Sequence, residues 1–297
     1  MALKNHNNQK KIALINDFSG FGRCSLAVSM PIISYLGIQS CPIPTSLFSN
    51  HTGFDSFFYQ DLTDIMPIYI NEWKKLDLQF KGIASGFLGS ERQINIVQEF
   101  IKNFKKDDTI VLVDPVMGDF GHVYPTYTSE MCNKMAELCT CSDIVTPNIT
   151  EACILTGTTY RTSEWDYQEI KEIALKIQKM GAKNIVISGI EENDTVTNAV
   201  LKESGEFILS TQKKVGKTRS GTGDIFSSII IADAVNGISL DDSVQKAEKF
   251  IQDCIIETEK KQIPYTDGVC FEEILYELNR GANVWWQYYI KFIITYM

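Results

Sequence analysis

Five short apolar runs, each carrying Gly, Asp, Pro or Asn at or near its end, are the feature that most constrains this chain. They are KIALIND (11–17), KGIASGF (81–87), TIVLVDP (109–115), DIVTPN (143–148) and NIVISGI (184–190). Runs of this length, mostly β-branched, read as strands buried on both faces. Helical spacing fills the gaps. SERQINIVQEFIKNF (90–104) places Ile94, Val97, Ile101 and Phe104 three and four residues apart. DYQEIKEIALKIQKMG (166–181) does the same with Ile170, Ile173, Ile177 and Met180, and stops at Gly181. VTNAVLKESGEFILS (196–210) reads instead as a hairpin turning at Glu203-Ser204-Gly205. Alternation of strand and helix predicts an α/β fold, with a mostly parallel sheet covered by helices on both faces. Ligands bind such sheets at the carboxyl ends of the strands. Asp17, Asp114, Asn148 and Ser188 stand at those ends and are candidates on geometry alone.

No Pro/Gly/Ser-rich linker and no internal repeat divides the 297 residues, so one large domain is expected. A polar extension (1–10) precedes it, and an aromatic-rich tail, NRGANVWWQYYIKFIITYM (279–297), follows. The tail is too short and too interrupted to span a membrane. Packing on the body, self-association and an artefactual extension are equally compatible with it. A formal net charge of −9 and no long basic run argue against nucleic acid as a partner. The eight cysteines form no C-x-x-C pair and read as reduced thiols, mostly buried. With no apolar signal core at the start and no long apolar run elsewhere, a cytoplasmic location is expected and a membrane is not.

KKVGKTRSGTGDIFSSII (213–230) holds two rival phosphate signals. Gly216-Lys217-Thr218 looks like the end of a Walker A loop, but that loop needs glycine where Thr211 stands and a helix after Thr218. Gly221-Thr222-Gly223-Asp224 fits better. It precedes IFSSIIIADAVNG, a predicted helix of about three turns closing at Asn236-Gly237. Glycines there let the backbone approach a ligand, and the free N–H groups of the first turn favour an anion. An ordinary helix cap is the bland alternative. Asp224 would repel a phosphate unless its task is to take a proton from an attacking hydroxyl, which is general-base work. Lys213, Lys214, Lys217 and Arg219 lie just upstream and would offset the negative charge; a solvated loop is the plainer reading of each.

GTGDIFSS resembles the signature of the ribokinase-like superfamily. LFSNHTGF (47–54) resembles a segment of one branch, the vitamin B6 (pyridoxal) kinases. IND (15–17), SGFGRCS (19–25), ASGFLGS (84–90), DPVMGD (114–119), TPNITEACILTG (146–157) and IVISG (185–189) fall in the order of that family. The resemblance spans residues 11–278 and excludes the tail. It implies a three-layer α/β/α ribokinase-like fold around a mostly parallel sheet. The implied activity is ATP-dependent phosphorylation of the 5′-hydroxymethyl group of pyridoxal, pyridoxine or pyridoxamine, with Mg²⁺, in a homodimer.

By the same resemblance Asp224 is the base, and Gly221, Thr222 and Gly223 form the anion hole. Asp17, Thr45 and Phe87 contact the B6 ring. Aspartate at 17 and phenylalanine at 87 depart from the serine and tyrosine common in the family, which leaves the preferred vitamer open. His51 is compatible with a ligand contact or with a hydrogen-bonded structural role. Asp114, Asn148, Glu151 and Ser188 match the Mg-ATP residues, Asp114 and Glu151 holding the metal largely through water. Tyr124 falls in a segment that covers the site. NDFSGFGRCS (16–25) is also similar to the D-x-S-G-G-x-G pattern of the hydroxymethylpyrimidine (phosphate) kinases of thiamine synthesis. That branch is the alternative, together with a non-catalytic vitamer sensor, although it usually has cysteine where Asp224 stands and lacks FSNHTG. Pro31, inside SLAVSMPIISYLG, is expected to kink or end a first helix.

Overall fold

Successive residues of Lys11–Ser19 face two different apolar clusters: Ile12 and Leu14 one, Ala13 and Ile15 the other. Such a strand belongs inside a sheet covered on both sides. The computed structural model describes residues 5–279 and shows that arrangement. The aromatic tail lies, but for its first residue, outside the described residues.

In chain order the strands are β1 (Lys11–Ser19), β2 (Gln39–Phe48), β3 (Tyr59–Asp61), β4 (Gly82–Ser85), β5 (Ile110–Val113), β6 (Gly118–Asp119), β7 (His122–Val123), β8 (Ile144–Val145), β9 (Asn184–Glu192), β10 (Thr195–Leu201) and β11 (Phe207–Lys213). The helices are α1 (Ser25–Tyr35), α2 (Met66–Lys75), α3 (Glu91–Phe104), α4 (Ser129–Cys139), α5 (Ile149–Thr156), α6 (Tyr167–Met180), α7 (Thr222–Asn236) and α8 (Leu240–Lys260). Nine strands form one sheet in the order β11-β10-β9-β8-β5-β4-β1-β2-β3. The six from β9 to β2 pair in parallel, and antiparallel β3, β10 and β11 complete the margins. Helices α2 to α6 pack on one face, and α1, α7 and α8 on the other. This is the three-layer α/β/α fold. A separate two-stranded ribbon, β6–β7, stands apart from the sheet.

Local chemistry places the ends of the elements. Ser90 caps α3 by accepting from Gln93 N, and Asp166 with Glu169 forms a capping box on α6, which closes at Gly181. The hairpin β10–β11 turns through Gly205 at φ 86°. One detail departs from the sequence expectation, and one decides between its alternatives. Helix α7 has 15 residues, longer than three turns, because Thr222, Gly223 and Asp224 themselves form its first turn behind the N-cap Gly221; its C-terminal end falls at Asn236-Gly237 as expected. Pro31 does not end α1; Ile32 and Ile33 beyond it are fully buried, and that packing carries the helix on to Tyr35. Strand β2 was not legible, because Pro42 and Pro44 argue against a strand. Spaced by two residues, they put their missing N–H groups toward the same edge. There β3 pairs only with Ser46, Leu47 and Phe48.

Candidate active site

The carboxyl ends of the strands open into one cleft of about 1170 Å³. Of the residues singled out above, Asp17, His51, Phe87, Asp114, Tyr124, Asn148, Glu151, Ser188, Lys213, Lys214, Arg219, Gly221, Thr222, Gly223 and Asp224 line it. Thr45 and Lys217 do not.

Asp224 lies in the first turn of α7, after Gly221 in the left-handed region at φ 90°. A Cβ at Gly221 would sit 2.4 Å from the Arg23 carbonyl oxygen, so close packing as well as backbone conformation demands glycine. Asp224 Oδ2 accepts from the Ser25 backbone N–H at 2.8 Å, and Oδ1 from Asn16 Nδ2 at 3.2 Å. Burial, and then the charge of Asp17, push its carboxyl up to about 6. A carboxylate so poised is ionised at neutral pH yet a better base than a surface aspartate.

Asn16 organises the β1 end of the cleft, and its role is not legible in the sequence. Its Oδ1 accepts from Asp17 N (2.9 Å) and Phe87 N (2.8 Å), while Nδ2 reaches Asp224. One amide thereby ties β1, the segment after β4 and α7 together. The only signal was its place beside Asp17 at a strand end. Asp17 is buried, with Oδ1 taking a hydrogen bond from Ser25 Oγ (2.6 Å) and Oδ2 one from Ser19 Oγ (3.1 Å). Burial raises its carboxyl above the ordinary value, against those hydrogen bonds. Ser25, at φ 56°, thus donates its N–H to one carboxylate and its hydroxyl to the other. Phe48, Phe57, Tyr59 and Phe87 supply an aromatic wall.

Thr45 is fully buried and donates to the Phe87 carbonyl (3.1 Å), so it supports the wall from behind. His51 has both ring nitrogens engaged: Nδ1 accepts from Gly53 N (3.0 Å) and Nε2 donates to Thr266 O (2.7 Å). Its ring packs against Gly22, where a Cβ would lie 2.4 Å away. Arg219 is buried; its two Nη atoms donate to Ile263 O, Pro264 O and Glu259 (2.8, 2.9 and 3.1 Å), while its Nε has no hydrogen-bond partner among the described residues. Lys217 is exposed on an irregular segment, and Lys214 pairs with Glu191 at 2.6 Å.

Across the cleft, Asn148 and Glu151 form the capping box of α5. Glu151 Oε2 accepts from Asn148 N (2.8 Å) and Oε1 from Met117 N (3.1 Å); Asn148 Nδ2 donates to Gly118 O (2.9 Å). Burial, then the charge of Asp114, holds the Glu151 carboxyl well above its ordinary range, and burial with the Asp224 charge does the same to Asp114. Two crowded carboxylates fit a divalent cation that would relieve their repulsion. Among the described residues no group of three or more His, Cys, Asp or Glu could hold a metal alone. The donor set therefore suits an ion ligated mostly by phosphates and water. Tyr124, just past the β6–β7 ribbon, is partly exposed at the cleft; desolvation of its hydroxyl, then the charges of Glu151, Asp119, Asp114 and Asp224, raise it above the ordinary tyrosine value.

A parallel sheet, with a buried carboxylate in the first turn of a glycine-capped helix at its carboxyl edge, is the arrangement of a phosphotransferase of the ribokinase-like class. The chain belongs to the phosphomethylpyrimidine kinase family, whose model matches residues 45–267. A candidate phosphomethylpyrimidine kinase from Bacteroides thetaiotaomicron, whose crystal contains pyridoxal, is 37% identical with a TM-score of 0.88, covering 91% of this chain and 96% of that one. Pyridoxal kinase from Lactobacillus plantarum shares the fold at a TM-score of 0.83 and 24% identity, covering 92% and 97%. Hydroxymethylpyrimidine/phosphomethylpyrimidine kinase of Aquifex aeolicus is 27% identical over 83% of this chain and 94% of its own length. Pyridoxal kinase of Dictyostelium discoideum is 26% identical over 78% and 82%. The relatives thus divide between pyridoxal kinases and hydroxymethylpyrimidine/phosphomethylpyrimidine kinases.

Proposed function

We propose that this kinase phosphorylates the 5′-hydroxymethyl group of a vitamin B6 vitamer, using ATP. The observation that carries the reading is Asp224, held between Ser25 N–H and Asn16 at the first turn of α7. Asp224 takes the hydroxymethyl proton as the oxygen attacks the γ-phosphorus. The proton ends on Asp224, and ADP leaves. Backbone N–H groups of Gly221, Thr222 and Gly223 offset charge on the transferring group. Mg²⁺, carried through water by Asp114 and Glu151, would neutralise the phosphates of the donor. Tyr124 and the ribbon would exclude water, limiting wasteful hydrolysis.

The substrate assignment draws on the pyridoxal present with the 37% identical Bacteroides protein. It draws also on the aromatic wall, which stacks on a pyridine ring, and on Asp17, which accepts from a ring N–H or hydroxyl. A second reading, hydroxymethylpyrimidine phosphorylation, is favoured by the family match and the Aquifex relative. The test is ATP-dependent product formation on pyridoxal, pyridoxine, pyridoxamine and hydroxymethylpyrimidine, with Asp224→Ala alongside. Vitamer turnover that collapses in the variant is expected; turnover of the pyrimidine alone refutes the B6 assignment. All eight cysteines are free thiols, which suits a cytoplasmic setting. A homodimer is the assembly we infer.

A further inference from the structure

The sheet lays out the cleft as a sequence of stations. Asp17 on β1 and Phe87 after β4 hold the acceptor end; Asp114 after β5, Asn148 after β8 and Ser188 on β9 follow in strand order. The next strand, β10, brings Asn198 to the far end. There β9 and β10 slip register. Thr197 pairs with Ile190 and Ala199 with Ile187, so Ser188 and Gly189 together oppose Asn198. This is a β-bulge with glycine in the left-handed region, at φ 69°. Gly189 N donates to Asn198 Oδ1 at 3.0 Å. Asn198 Nδ2 in turn donates to Glu248 Oε1 at 2.7 Å, and Glu248 Oε2 accepts from Ser210 Oγ at 2.7 Å and from Gln212 Nε2 at 3.5 Å. Glu248 comes from α8 and is only 6% exposed, as is Asn198. Val196, Val215, Ile251 and Ile255 line the cleft beside them.

A buried carboxylate is costly where an apolar residue would fill the same space. Its partners here do not merely satisfy it. They run in one line from α8 to the backbone that presents Ser188. We propose that Glu248, acting through Asn198, is a positioning residue that locks the Ser188–Gly189 bulge and so sets the affinity for the nucleotide. This rests on the kinase reading, in which the phosphate donor lies beyond Asp224 from the acceptor.

The experiment is direct titration of ADP, which needs no acceptor, together with steady-state kinetics at saturating acceptor. Glu248→Ala and Asn198→Ala should each weaken ADP binding and raise KM for ATP about tenfold, with kcat and acceptor KM within about twofold of wild type. Glu248→Gln keeps an oxygen for Asn198 Nδ2 and should restore most of the affinity. The double alanine variant should be no worse than either single one, because the residues act in series. Unchanged ADP affinity in folded Glu248→Ala, additive losses, or a loss of thermal stability alone would overturn the proposal. Should Glu248→Ala fail to fold, Asn198→Asp, which sets a second carboxylate against Glu248, carries the same test. Wild-type protein that binds ADP yet phosphorylates no vitamer would refute the acceptor assignment and leave this proposal standing. Wild-type protein that binds no ADP would refute both.

Discussion

Replacing Asp224 by asparagine removes the proposed base and a buried charge in one step, so activity and stability should move in opposite directions. In the folded chain the carboxyl is raised from 3.8 to about 6, chiefly by burial and next by Asp17. A raised value means that the fold favours the neutral acid. That stabilisation is complete below the unfolded value and is lost as pH rises through about 6. Linkage sets the resulting penalty at about 1.6 kcal/mol at pH 5 and about 3 kcal/mol at pH 8. Asparagine carries no such penalty. Changes in the bonds to Ser25 N–H and Asn16 are independent of pH to a first approximation and cancel in the comparison. The stability of Asp224→Asn relative to wild type should therefore grow by about 1.4 kcal/mol between those pH values, or roughly 3–5 °C in melting temperature. Over the same range kcat of the variant should lie about 10²–10⁴-fold below wild type. Wild-type kcat/KM should rise with pH and level off above about 6. Calorimetry of both proteins at the two pH values, with acceptor kinetics, makes the test. A stability difference that does not grow with pH, or a variant within tenfold of wild-type kcat, would refute the argument.

Gly221→Ala meets the Arg23 carbonyl and forces alanine to positive φ; a loss of roughly 1–3 kcal/mol in urea unfolding and a large drop in kcat are expected. Thr45→Val removes the hydroxyl bonded to Phe87 O from outside the cleft, so stability should fall by about 1 kcal/mol while kcat stays near wild type and acceptor KM rises modestly. Glu151→Gln can serve only one of the two backbone N–H groups that the carboxylate accepts; thermal melts should show a loss of about 1–2 kcal/mol, and the Mg²⁺ concentration needed for half-maximal turnover should increase. Chelation of divalent cations should abolish phosphoryl transfer and leave acceptor binding, followed by intrinsic fluorescence, intact.

Much of the frame was legible because buried parallel strands and amphipathic helices write themselves into local periodicity. The five apolar runs became β1, β4, β5, β8 and β9, and the spacings at 94–104 and 170–180 became α3 and α6. Strand β2 was hidden because its prolines are tolerated only where a neighbour stops short, and no local pattern reports a neighbour's length. Asn16 and Ser25 were missed for a similar reason. Their work lies in contacts 208 and 199 residues away in the chain, at Asp224. Arg219 and Lys217 looked alike as cations beside a phosphate motif. Only the packing distinguishes a buried guanidinium bonded to the Ile263 and Pro264 carbonyls from an exposed amine.

The sequence by itself determined the layered α/β architecture, the glycine turn at 221–223 that opens a helix and the carboxylate beside it. Each is a matter of neighbours within one element, where periodicity, glycine and helix-end chemistry act over a few residues. The tertiary structure alone decided how basic Asp224 is, which cations are free and which hydroxyls face the cleft. Those properties depend on burial and on charges and donors brought together from distant strands, and desolvation has no signature in a linear string.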